Sequence, residues 1–146
     1  MTLTTTFLLV FSLATVAADD PPKKDDAALL KGTWKALSVK QGGQNAPQEF
    51  VKSMTFNFDG KKYTQKVQDQ SEEGNYSIDA SQSPKTIDLD IKTGNDEGKK
   101  QIGIYKIEDG KLSFVVAKAG STDRPKSFKP EAGDDVIEFV LEREKN

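Results

Sequence analysis

The chain of 146 residues contains no cysteine and no histidine. Without cysteine there is no disulfide, no thiol nucleophile and no thiol to carry a lipid. Without histidine the usual acid–base side chain of neutral pH is missing, and with both residue types gone the ordinary zinc ligand sets are excluded. An excess of either charge is lacking too. The 21 Lys and Arg are interleaved with 23 Asp and Glu, for a net charge of −2. A nucleic-acid-binding face needs clustered cations, or cations alternating with aromatics, to follow phosphates, so nucleic acid is excluded as a partner. The one sustained apolar stretch, Phe7 to Val16, is half of the roughly 20 residues a membrane helix needs, so no membrane span is expected.

For an enzyme, only carboxylate chemistry survives these absences. Asp88 and Asp90 lie two apart on one strand face, the ordinary place for solvated exterior carboxylates. The run Asn95-Asp96-Glu97-Gly98 lacks the ligand spacing of an EF-hand calcium loop. The chain is therefore expected to be no enzyme and to hold no metal and no cofactor.

What is present divides into three parts. The apolar stretch is followed by Val16-Ala17-Ala18, small residues of the kind a signal peptidase reads, although no Lys or Arg precedes it. Residues 1–18 are thus expected to be a signal peptide, and the mature protein to be extracytoplasmic, periplasmic or secreted. Residues 19–28 open with Asp-Asp-Pro-Pro-Lys-Lys-Asp-Asp, charged and with nothing to bury, and read as a linker. Residues 29–146 have the length of one ordinary domain.

Within that domain the hydrophobic pattern has period two, the signature of strands with one face in a core. Ile87-Asp88-Leu89-Asp90-Ile91 is the cleanest run; Met54, Phe56, Phe58 and Leu112, Phe114, Val116 repeat it. The pattern predicts eight strands, at 33–40, 53–59, 62–69, 73–79, 86–92, 99–108, 111–117 and 136–143. Two are out of phase. Trp34 and Ala36 oppose Leu37 and Val39, and Ile102 and Ile104 oppose Tyr105 and Ile107, which requires a bulge or two covered faces. Residues 46–53 could form a turn or two of helix. Asp59-Gly60 and Asp109-Gly110 suit tight hairpins, so the strands are expected to run up and down in sequence order. The fold class is all-β: an eight-stranded antiparallel up-and-down barrel.

In that topology the long connections 41–52, 93–98 and 118–135 fall at one end, and the other end has mostly tight turns. This describes a cup with a mouth. Phe50, Arg124, Lys126 and Phe128 are expected to cluster at the mouth, with Tyr63 among the aromatics lining the barrel. Such cations beside an aromatic would take an anionic amphiphile, headgroup outward and tail inward. The alternative is that Arg124-Pro125 and Phe128 only pin a long loop onto the rim. At the other end, Gly32 lets the backbone pass close under the barrel while Trp34 plugs it. Closure of the barrel sets the last strand antiparallel to the first and brings Arg143 beside Trp34. There its guanidinium either covers the indole or stands solvated with Glu142 and Glu144.

Lys31-Gly32-Thr33-Trp34, Pro84-Lys85-Thr86-Ile87-Asp88-Leu89, Gly103-Ile104-Tyr105-Lys106, Arg124-Pro125-Lys126-Ser127-Phe128 and Leu141-Glu142-Arg143-Glu144 follow one another in an order that resembles a lipocalin-like family abundant in planctomycete bacteria. The resemblance covers essentially the whole domain and implies a small extracytoplasmic barrel without an established activity. Two functions follow as expectations: a binding protein for a small apolar or amphipathic anionic ligand, or a non-catalytic structural or interaction domain of the cell envelope. A hollow barrel favours the first; a filled barrel with an exposed apolar patch favours the second.

Overall fold

The computed structural model describes residues 25–145. The expected signal peptide, and the linker as far as Lys24, lie outside the described residues. The first element is a short helix, α1 (Asp26–Leu30), capped by Asp25, whose Oδ1 accepts from Ala27 N at 3.1 Å. Residues 26–28, expected to belong to the linker, are therefore helical. A helix of five residues does not persist alone. This one is held because Leu30 is buried in the barrel core.

The strands are β1 (Gly32–Gln41), β2 (Gln44–Asn45), β3 (Thr55–Phe58), β4 (Lys62–Val67), β5 (Gln70–Asp79), β6 (Thr86–Ile91), β7 (Lys100–Glu108), β8 (Lys111–Ala117) and β9 (Val136–Arg143), with α2 (Gln48–Ser53) between β2 and β3. β1 and β3 to β9 pair antiparallel in sequence order, and β9 returns to β1, with Trp34 opposite Arg143 and Gln41 opposite Ile137. The result is a closed eight-stranded barrel. β2 is only a two-residue return of the chain onto the end of β1. Among the described residues no helix is long and apolar enough to cross a membrane.

The two phase conflicts of the sequence resolve differently. In β1 the register against β9 slips between Ala36 and Ser38. This bulge turns Trp34 and Val39 to the same interior and leaves Leu37 40 % exposed, the one large exposed hydrophobic side chain among the described residues. In β7 there is no bulge. Tyr105 faces the core opposite Phe114, while Ile104, on the other face opposite Val115, is equally buried, and so are Val115 and Ala117. That outer wall lies beneath the 118–135 segment.

The barrel interior is occupied by aromatic rings. Phe114 and Phe139 stack with centroids 4.6 Å apart, and both meet Phe56 edge-on at 5.3 Å. Tyr76 meets Phe58 edge-on at 5.0 Å. Val51 and Met54, from α2 and its C-terminal end, are buried in the same core, so the α2 region covers part of the mouth.

Candidate functional site

At the floor, three carbonyls at the C-terminal end of α1 and its cap are taken by two side chains. Trp34 Nε1 donates to Leu30 O at 2.8 Å. Arg143 Nη1 donates to Lys31 O at 2.6 Å, and Nη2 donates to Leu29 O. The same guanidinium lies over the Trp34 indole, 4.5 Å from its centroid. Gly32 makes room for it. Its φ is +122°, and a Cβ there would stand 2.6 Å from Arg143 Nη1, so both the backbone and the arginine require glycine. Gly32, Trp34 and Arg143 thus form one unit that seals the floor.

At the mouth, the long connections do converge. Gly42 N donates to Val136 O, and Gly133 N donates to Gly42 O, tying the segment after β1 to the end of the 118–135 segment. The side chains expected to gather there do not. The 118–135 segment is pinched at the mouth by Lys118 N donating to Asp135 O, and its middle drops down the outside of the barrel. Arg124 Nη1 donates to Gly103 O at 2.7 Å, to Ile87 O at 3.4 Å and to Asp88 Oδ1 at 2.6 Å. Asp88 alternates with the buried Ile87 and Leu89, so Arg124 sits on the outer wall. Phe128 lies under Lys106 Nζ, 4.9 Å from its ring centroid, on the same wall, and Lys126 is exposed. The apolar outer faces of β7 and β8 draw the loop down, which removes these cations from the mouth. Phe50 is half-buried on α2. It lines an open cleft of about 440 Å³ with Gln41, Gln44, Asn45, Ala46 and Pro47.

Tyr63 leads to a different place. It is buried on β4, with its ring over Gly74 of the neighbouring strand, where a Cβ would come within 2.7 Å of Tyr63 Cε1 and 2.3 Å of Asp90 O. Its hydroxyl donates to Glu72 Oε1 at 2.8 Å. Glu72 pairs with Gln65, and Gly74 with Tyr63, so all four lie on the inward face, with Gln65 and Glu72 towards the β4–β5 turn at the rim and Tyr63 reaching up to Glu72 from below. Above them is a cleft of about 330 Å³ lined by Gln65, Val67, Gln70, Ser71, Glu72, Gly94, Asn95 and Asp96. One side is the β4–β5 hairpin and the other the 92–99 segment. Thr93 Oγ1 holds that segment to β5 by accepting from Glu73 N at 2.9 Å.

The electrostatics of this rim are acidic, not basic. Burial raises the Glu72 carboxyl above its ordinary range; the bond from Tyr63 works against the rise, and the charge of Asp96 adds to it. Burial also pushes the Tyr63 phenol up, helped by the bond to Glu72 and by the charges of Glu72 and Asp90. Asp96 itself is paired with Lys99 at 2.8 Å. Glu72 was missed in the sequence because β5 was expected to begin at residue 73, which left Glu72 in a turn. The missed signal is the hairpin register: extending β5 to Gln70 sets Glu72 opposite Gln65, two residues from Tyr63, on the inward face.

Residues 30–114 match the family model described as a lipocalin-like domain. No curated protein and no solved structure matches the chain.

Proposed function

The chain belongs to the lipocalin-like domain family, and from that premise we propose that it is a non-catalytic small-ligand-binding barrel that takes its ligand at the rim instead of in the lumen. One observation carries this reading: the cleft at Glu72 is lined by the inward-facing Gln65, Val67, Gln70 and Glu72 together with the 94–96 loop, while the barrel interior is occupied by packed aromatic rings. Concave sites with a few convergent polar groups are where small molecules bind, and family barrels offer such a site at the mouth.

The absence of histidine and cysteine supports a role without catalysis. The apolar stretch Phe7 to Val16 with Val16-Ala17-Ala18 after it supports an extracytoplasmic location, which sequencing the N-terminus of the mature protein would check. The filled lumen also suits an interaction domain of the envelope, but that reading wants an exposed apolar patch, and the described surface offers Leu37 alone.

The test is native mass spectrometry of the protein purified from its own host, beside Gln70→Trp, which fills the cleft from an exposed position. The expected result is a small molecule retained by the wild type and lost from the variant. Retention unchanged by Gln70→Trp, or no retained molecule, contradicts the reading.

A further inference from the structure

Two carboxylates of this barrel are gripped by tyrosine hydroxyls, one at each end. At the floor, Asp26 Oδ2 accepts from Tyr105 OH at 2.8 Å and also from Lys85 Nζ at 2.7 Å. At the rim, Glu72 Oε1 accepts from Tyr63 OH at 2.8 Å, and among the described residues no Lys or Arg lies within ion-pair distance of it. Each hydroxyl fixes its carboxylate, but only the floor supplies the counter-charge. A carboxylate withdrawn from water is offset poorly by one neutral hydrogen bond and well by a cation at contact.

We propose, resting on the rim cleft as the ligand site, that the ligand is a small organic cation, a protonated amine or guanidinium, whose charge takes at Glu72 the place that Lys85 takes at Asp26. The rest of the lining suits such a group. The amide oxygens of Gln65, Gln70 and Asn95 accept further N–H bonds, and Val67 meets the ligand's carbon chain. Asp96 faces the cleft from the 92–99 segment. Already bonded to Lys99, it contributes negative field instead of a second anchor. An anionic headgroup would approach Glu72 and Asp96 together, a like-charge contact that disfavours it.

The test titrates isotope-labelled protein, followed by amide NMR, with three four-carbon probes that differ in charge: putrescine, succinate and butanediol. Putrescine is expected to move the amides of residues 70–72 and 94–96 in a saturable way, and Glu72→Gln to weaken that binding about tenfold or more, the scale of a charge-assisted bond. Glu73→Gln, on the outer face of the same strand, should leave it unchanged. The melting temperature of Glu72→Gln shows whether it is folded. If that variant does not fold, Gln65→Leu and Gln70→Leu, which remove the amide acceptors around the charge, must still weaken putrescine. Succinate or butanediol moving these amides while putrescine does not overturns the cation assignment and leaves the rim site standing. Silence from all three probes overturns the cation assignment; if the protein from its host also retains nothing in the cleft, the rim site falls with it.

Discussion

Asp26 and Glu72 differ in the sign of what their charges do for the fold. Burial disfavours the charge on Asp26, but the bonds from Lys85 and Tyr105 and the charge of Lys85 more than offset it and hold its carboxyl below the ordinary range. A carboxyl lowered by folding stabilises the native state above its unfolded pKa, and that contribution is lost as pH falls through the folded value. Asp26→Asn should therefore lower Tm near neutral pH, with the difference from wild type shrinking in acid. Glu72 is raised, so its sign is opposite: its charge weighs against the free protein at neutral pH, and the penalty disappears as pH falls through its folded pKa. Glu72→Gln, which keeps an acceptor for Tyr63 OH, should raise the Tm of the ligand-free protein by a few degrees near neutral pH and by nothing in acid. A thermal melt series across acid and neutral pH, run on both variants, checks the pair; two curves of the same sign would refute the assignment. Neither pairing could be read from residue types, because each joins residues that only the sheet register or the docking of α1 brings together.

Among the elements, α1 and the 118–135 segment each lean on a different arginine, with different consequences. Arg143 binds the carbonyls of Leu29 and Lys31 and covers Trp34, so its loss loosens the seat of α1, which Trp34, Tyr105 and Lys85 still hold. Arg143→Ala should destabilise the whole barrel by about 1–2 kcal/mol, from a cation–π contact and helix-end bonds together. Arg124 holds a loop to the outer wall of a barrel that is closed without it. Arg124→Ala should change Tm less than Arg143→Ala does, while limited proteolysis cuts within 118–135 sooner. Cleavage elsewhere, or equal losses of Tm, would contradict this division. The strands, the α2 turn and the junction of Arg143 with Trp34 were legible in the sequence, because alternation and barrel closure act over short spans or are forced by topology. That Arg124 and Phe128 pin the long loop was legible as the alternative reading, but the wall they pin it to, instead of the rim, was not. A loop as long as 118–135 has many routes, and the one taken depends on the buried outer faces of Ile104 and Val115, which in sequence register only as a broken alternation.

Taken whole, the described molecule is a barrel sealed at its floor by α1, filled through its middle by aromatic rings and open in a cleft at its rim. With no histidine anywhere in the chain, Tm should vary little between about pH 6 and 8. A steep change in that interval would mean that a carboxyl or an amine titrates far from its ordinary range. The proposed place of binding is the rim and not the lumen, and an apolar naphthalene sulfonate dye, small enough for the interior of a hollow eight-stranded barrel, separates the two. Followed by amide NMR, the dye is predicted to cause no saturable shift at Leu112, Phe114 or Phe139, whose side chains occupy that interior. Saturable one-to-one shifts at those three residues, unaffected by Gln70→Trp at the rim, would put binding in the lumen instead.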